Sequence, residues 1–350
     1  MKRTAVLGLV VLTLVGFVAC GKKASTEAGS ATAEALLNLL PKGTNGVIVL
    51  DMHGIMATES FAKALAEEKN KEKYDTFIKE TGIDPKNDIY YLVVGLGGQL
   101  EKGAENMEGA FLANLRYNKD ILLAKLRETA KKEDGREIKE ETYNGVTLYS
   151  GLEAQAKGRT TVAAFLDESN IVLGSDVVVK SVIDNKQGRG ENLAANAEMQ
   201  KVIKAANTKA LMWGGFAIPP DLMKKAAASN PMLQSLEGMT GLVLAFDYRN
   251  QALTAEIKGL GGDAEKNKNL ADMLTGFKAM GGAAAAQNPD LGEVLNRVVI
   301  GASADSVSIS ANIPQDLLEK LQKAAQQKVE GMVKPKSEPE AGEEKKAEIK

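Results

Sequence analysis

Chemistry in this chain has to be sought around two residues, because 350 positions hold one histidine, His53, and one cysteine, Cys20. His53 follows the apolar run Gly46–Met52 and lies two residues after Asp51. An aspartate beside an imidazole can act as a general base, and residues i and i+2 of a strand share a face. Gly54 ends the strand pattern, and the sequence places no nucleophile to complete a triad. The expected role of His53 is therefore structural or solvent-facing, at a strand end. Zinc is not expected, since one His and one Cys leave only carboxylates as further ligands. Gly95-Leu96-Gly97-Gly98 approaches a dinucleotide fingerprint but lacks the last glycine and the helix after it. Gly98 and Gly103 are spaced like a phosphate loop, but Ala104 stands where the lysine belongs. No catalytic residue, ligand-binding residue, metal or cofactor is assigned from sequence.

Cys20 has a more telling setting. Lys2 and Arg3 open the chain, Ala5 to Ala19 is an unbroken uncharged run, and the polar stretch Gly21-Lys22-Lys23-Ala24-Ser25 follows the cysteine. A basic start, an apolar core of ~7–15 residues and small residues at the cut make an export signal, whereas a spanning helix needs ~20 apolar residues. The stretch Gly16-Phe17-Val18-Ala19-Cys20 resembles the bacterial lipobox, with Phe17 in the place of the usual Leu. That resemblance implies cleavage before Cys20 and acylation of the new N-terminal cysteine, palmitate among the acyl groups. It further implies three chains, where one anchors only marginally at ~0.8 kcal/mol per buried CH₂. Gly21 after the cysteine resembles the outer-membrane default in bacteria with two membranes. The expected location is the cell envelope, facing the periplasm, with the lipid on Cys20 as the membrane attachment.

Composition narrows the remaining possibilities. The 44 basic and 46 acidic residues nearly balance, so nucleic acid is not an expected partner. With a single cysteine no internal disulfide forms, and the fold must rest on its core. Aromatics are 5% of the chain, which argues against a ring-lined carbohydrate site.

The elements alternate. Residues 20–32 read as a flexible tether. Ala33–Leu40 reads as a short helix stopped by Pro41, and Gly46–Met52 as a buried strand. Thr58–Glu68 and Lys73–Thr81 read as helices, Asp88–Gly95 as a strand, Gly95–Gly109 as a loop, Ala110–Tyr117 as a strand and Lys119–Lys132 as a helix. Asn144-Gly145 between two alternating runs is the strongest short hairpin signal. Further hairpins turn at Asp167-Glu168-Ser169, Arg249-Asn250-Gln251 and Ser303-Ala304-Asp305. Helices are expected at Val177–Ile183, Ala195–Ala206, Pro219–Ala228, Ala264–Met280 and Gln315–Val329, with a strand at Lys209–Ile218 and a loop from Gly281 to Pro289. The charged, proline-bearing residues 333–350 cannot bury a core and are expected to be disordered.

One motif recurs. Asp followed by two apolar residues, with Lys beyond, opens a helix after a strand at Asn118–Lys125, Ser175–Lys180, Pro219–Lys224 and Pro314–Lys320. Asp at a helix start complements the dipole and free N–H groups, so the repeat is architectural. Hairpin-then-helix units predict an α+β fold, with antiparallel sheets built from hairpins and helices packed on one face. The expected division is a signal over 1–19, the tether, an α+β domain over 33–205 and a second module over 206–332 that can share the same sheet. Leu39-Leu40-Pro41 before a strand and Thr81-Gly82-Ile83-Asp84-Pro85 before the next resemble a class of uncharacterised bacterial envelope proteins, which implies no activity. The expected function is non-catalytic binding, structure or assembly by a membrane-anchored envelope lipoprotein, with an envelope protein as partner. The alternative is a carrier of lipid or another apolar ligand between sheet and helices, and a carboxylate hydrolase comes third.

Overall fold

The structure, a computed structural model, describes residues 27–98, 107–152, 160–229, 231–285 and 289–323. Cys20, the signal, most of the tether and the charged tail lie outside the described residues. The fold is α+β, with twelve strands in one antiparallel sheet. No helix among the described residues is long and apolar enough to cross a membrane.

The first half begins with α1 (Glu27–Leu37), which starts earlier than the leucine periodicity places it: residues 27–32, expected as the end of the flexible tether, are helical, in a stretch rich in Ala, a strong helix former. It continues through β1 (Thr44–Asp51) and four short helices: α2 (Met52–Met56), α3 (Glu59–Ala66), α4 (Glu68–Thr81) and α5 (Pro85–Asp88). Then come β2 (Ile89–Gly98), β3 (Met107–Leu115), α6 (Lys119–Asp134), β4 (Lys139–Tyr143), β5 (Val146–Ser150), β6 (Thr161–Phe165), β7 (Asn170–Ser175) and α7 (Asp176–Lys186). The second half runs α8 (Ala197–Ala205), β8 (Met212–Ala217), α9 (Pro220–Ser229), β9 (Met239–Arg249), β10 (Ala252–Gly261), α10 (Ala264–Ala284), α11 (Pro289–Arg297), β11 (Val298–Ala302) and β12 (Ser306–Pro314). A last helix, α12, covers residues 315–323.

Turn chemistry matches the hairpins. Asn144 and Gly145 both have positive φ, 49° and 80°, as a two-residue turn with matching twist requires. Asn250 and Gln251 adopt the same conformation, at 53° and 57°, without a glycine. Gly97 is fixed by a close approach instead: a Cβ there would lie 2.8 Å from the Gly43 carbonyl. The Gly95–Gly98 run, expected as the start of a loop, is thus the end of β2, and β3 likewise begins at Met107 inside the expected loop; Gly103 lies outside the described residues.

From the centre of the sheet outward, the strands run β1-β2-β3-β7-β6 on one side and β8-β9-β10-β12-β11 on the other. Each half follows one path: helix, strand, helical crossover, two-strand meander, helix, hairpin, helix. The halves meet where β1 pairs with β8 about Ile48–Gly214, with Val47 opposite Gly215 and Val49 opposite Trp213. The order of elements thus repeats on either side of that pair. The first half then carries one addition, the β4–β5 hairpin, laid on the outer edge of β6. The recurring Asp motif partly reflects this repeat, since Asp176 and Asp316 open α7 and α12 at corresponding places. In the motif's first copy Asn118 caps the helix, accepting from the Asp120 and Ile121 N–H groups at 3.0 and 3.1 Å.

The expectation of helices on one face is corrected in detail. Val47 and Val49 belong to one apolar layer with α1 and α7, whereas Ile48 and Leu50 belong to another with α2, α3 and Ile83. Central strands such as Tyr91-Leu92-Val93-Val94 are apolar on both sides, so both faces need cover. The halves differ in their last helix. The buried residues Val178, Val179, Val182 and Ile183 of α7 join the Val47 layer. Leu318 of α12 packs instead with Tyr248 and Leu253 on the opposite face. The sequence follows suit: on the Val47 face, β10 and β12 carry Glu256, Lys258, Ser308 and Ser310 where β3 and β7 carry Ala110, Leu112 and Val172.

Candidate functional site

The residues around His53 do not assemble a general base. Asp51 caps α2, its Oδ1 accepting from the Gly54 N–H at 2.8 Å. Burial raises its carboxyl pKa, against the Gly54 bond and the charge of His53. The Tyr91 hydroxyl is the side chain bonded to it, pushed up to about 12 by burial and by the Asp51 charge. The His53 ring lies 6.4 Å from that of Tyr90 and hydrogen-bonds no described nucleophile. Among the described residues, no three His, Cys, Asp or Glu side chains are grouped to hold a metal ion.

Polar groups converge with a concavity elsewhere, beneath α1. A cleft of about 350 Å³ is lined by Thr32, Ala35, Leu36 and Leu39 on one side and by Asn114, Asn170 and Lys186 on the other. Asn114 and Asn170 are direct cross-strand partners on β3 and β7. They share the face of Leu112 and Val172, so each interrupts an otherwise apolar strand face where the sheet meets α1. The Asn114 carboxamide donates to Asn170 Oδ1 at 2.9 Å, and Asn170 Nδ2 donates to both Asp167 oxygens at 2.9 Å.

Asp167 is the anchor of this network. It accepts from the Ser169 and Asn170 N–H groups at 2.9 and 2.8 Å and pairs with Lys186 at the end of α7. Burial pushes its carboxyl up, but the Lys186 bond and charge, with Asn170 and Ser169, outweigh that and hold it at about 2. The Tyr117 hydroxyl donates to the Asp167 carbonyl. The walls are tied together: Asn185 Nδ2 donates to the Leu39 carbonyl at 3.0 Å, and the Leu193 N–H donates to the Leu40 carbonyl at 2.8 Å. The cleft therefore offers two carboxamides, a compensated Lys–Asp pair and an aliphatic wall. Such groups can hydrogen-bond a neutral polar ligand.

Sequence reading assigned none of these residues and took Asp167-Glu168-Ser169 only as a turn. The signal that could have found them was an asparagine at the end of each of two apolar strands.

No curated protein matches the chain. Among solved structures, crystal form III of TP0453 aligns with a TM-score of 0.45 at 12% identity, covering 82% of this chain and 97% of that one. Crystal form I of TP0453 gives 0.43 at 10% identity, with 82% and 96% covered. A family described as a protein of unknown function, DUF3352, matches residues 103–330, from just before β3 to past β12. That match spans more than half of the chain, and the chain belongs to the DUF3352 family.

Proposed function

We propose that this protein is an envelope lipoprotein, held on a membrane by lipid on Cys20, whose body performs a non-catalytic binding role through the cleft beneath α1. In a cell with two membranes it sits on the outer membrane and faces the periplasm. The observation that carries the reading is one of position. The helix that follows the tether, α1, supplies Thr32, Ala35 and Leu36 to the cleft, so the anchor ends at a concavity where polar groups converge with an aliphatic wall. The neutral, hydrogen-bonding lining suits capture of a peptide segment or small polar molecule from an envelope partner.

The aliphatic wall favours a second reading, carriage of an apolar ligand. About 350 Å³ lies at the small end of ligand pockets and admits a short chain, not a two-chain lipid.

Two measurements test the proposal. Cys20→Ser should leave the protein unprocessed or released from membranes with its fold unchanged; tight retention with normal cleavage would overturn the anchor. For the cleft, affinity capture from solubilised envelopes should recover a partner that Asn170→Leu loses. Native mass spectrometry showing an added apolar mass on the wild type would favour the carrier instead, and the absence of both a partner and an added mass would overturn the cleft.

A further inference from the structure

The two outer edges of the sheet differ. At one end β4 exposes Lys139, Glu140 and Glu141, charges that discourage pairing with another strand. At the other end β11 reads Val-Val-Ile-Gly-Ala, with no charge and no proline, and Val299 is 63% exposed.

Register shows which main-chain groups of β11 face outward. The Ser303 N–H donates to the Ser306 carbonyl at 2.8 Å and closes the β11–β12 hairpin as a hydrogen-bonded pair. Bonded and non-bonded pairs alternate in an antiparallel ladder. Gly301–Ser308 and Val299–Ser310 are then bonded, and Val298, Ile300 and Ala302 turn their N–H and C=O groups away from β12. In keeping with this, the Val298 carbonyl accepts from Lys278 Nζ of α10 at 2.6 Å. The same chain shows what such an edge accepts. In the first half the corresponding strand is β6, whose outward residue Ala163 pairs antiparallel with Tyr149 of the added hairpin. The second half has no such hairpin.

We infer that the β11 edge is a self-association site that takes β11 of a second copy of this chain, antiparallel, about a twofold axis at Ile300. The strand is complementary to itself in that register. Ile300 faces Ile300, Val298 faces the partner's Ala302, and the exposed Val299 side chain lies opposite the partner's Gly301, which has no side chain to obstruct it. Six main-chain hydrogen bonds result, two from each outward-facing pair, and in the outer pairs the Val298 carbonyl accepts from the partner's Ala302 N–H on its second lone pair beside Lys278. The join repeats at the rim what β1 and β8 do at the centre, an edge-to-edge pairing of two like units. The inference goes beyond the anchored-binding reading and does not depend on the lipid.

The test uses the full chain in detergent, followed by sedimentation over a range of concentrations. A reversible monomer–dimer equilibrium is expected. Ala302→Pro removes an outward N–H that β12 does not use, and proline is tolerated on such an edge. By symmetry two of the six bonds are lost, and the dimer should weaken roughly thirtyfold. Val299→Lys should weaken it too, whereas Val177→Lys, on the exposed side of α7, should not. In a Cys20→Ser background, Ile300→Cys should form a disulfide-linked dimer on mild oxidation, because directly opposed residues lie ~5.5 Å apart. A single-chain mass at every concentration with no cross-link, or a dimer indifferent to both β11 substitutions, would overturn the inference.

Discussion

Asp167→Asn keeps the shape of the side chain and leaves one oxygen to accept from the Ser169 and Asn170 N–H groups, but it removes the charge paired with Lys186. The native pKa lies at about 2, against an ordinary 3.8. At 1.36 kcal/mol per pH unit, that difference corresponds to at most ~2.5 kcal/mol. The side chain is 32% exposed, and solvent screening reduces the stabilisation to ~1–2 kcal/mol. A depressed carboxyl stabilises the fold above its unfolded pKa and loses that contribution as pH falls through its folded pKa. The wild type should therefore exceed the variant by its full margin from neutrality down to about pH 5, and the margin should vanish towards about pH 2. The assay is urea unfolding of both proteins across that range. Emission of Trp213, the one tryptophan, 2% exposed in the core, is the readout. A margin constant with pH, or no margin at neutrality, would refute the assignment of the charge pair as the source.

Two further substitutions probe the frame around the cleft and the repeat. Leu40 is fully buried, so Leu40→Ala should cost ~2–5 kcal/mol and lower the unfolding midpoint without changing far-ultraviolet dichroism. Asn267, also buried, donates to the Gly261 and Ser303 carbonyls at 3.1 and 3.2 Å and so joins the start of α10 to the β11–β12 turn. Asn267→Leu should cost ~1–3 kcal/mol through the stranded carbonyls, with hydrogen exchange quickening first around residues 298–306.

Much of the fold was legible because local chemistry and global pattern agree. Asn144-Gly145 announced a turn that needs positive φ at both positions, and the run from Thr240 to Leu260 alternated as a hairpin should. Thr81-Gly82 marked the end of α4 through the left-handed conformation of Gly82, with φ of 68°. Three features were not legible. The α11 helix follows an alanine-rich stretch whose composition suits a turn as well as a helix. The choice of face for α12 depends on Tyr248 and on Ser60 and Lys63 of α3, which approach Gln315 and Glu319 only in the folded chain. The cleft was hidden for the same reason: Leu36, Asn114, Asn170 and Lys186 come from four elements, and no spacing in the sequence brings them together. The repeat showed in sequence only as its Asp motifs, because opposite solvent exposure has driven the outer strands of the two halves apart in composition.

The central seam has a consequence for how the chain is made. Val49 meets Trp213, and the intervening residues include every other strand of the first half. Such distant pairings are slow to form, since loop closure must precede the contact. A chain emerging from its N-terminus can complete β2 through β7 while one edge of β1 stays unpaired, with Val47, Ile48 and Val49 along it. Only when Met212–Ala217 has arrived can that edge close. A product truncated before β8 would carry a long apolar edge in the middle of its intended sheet, the kind of surface that recruits other strands. The second half thus acts on the first as a built-in escort, and its completion decides whether the nascent protein stays single or aggregates.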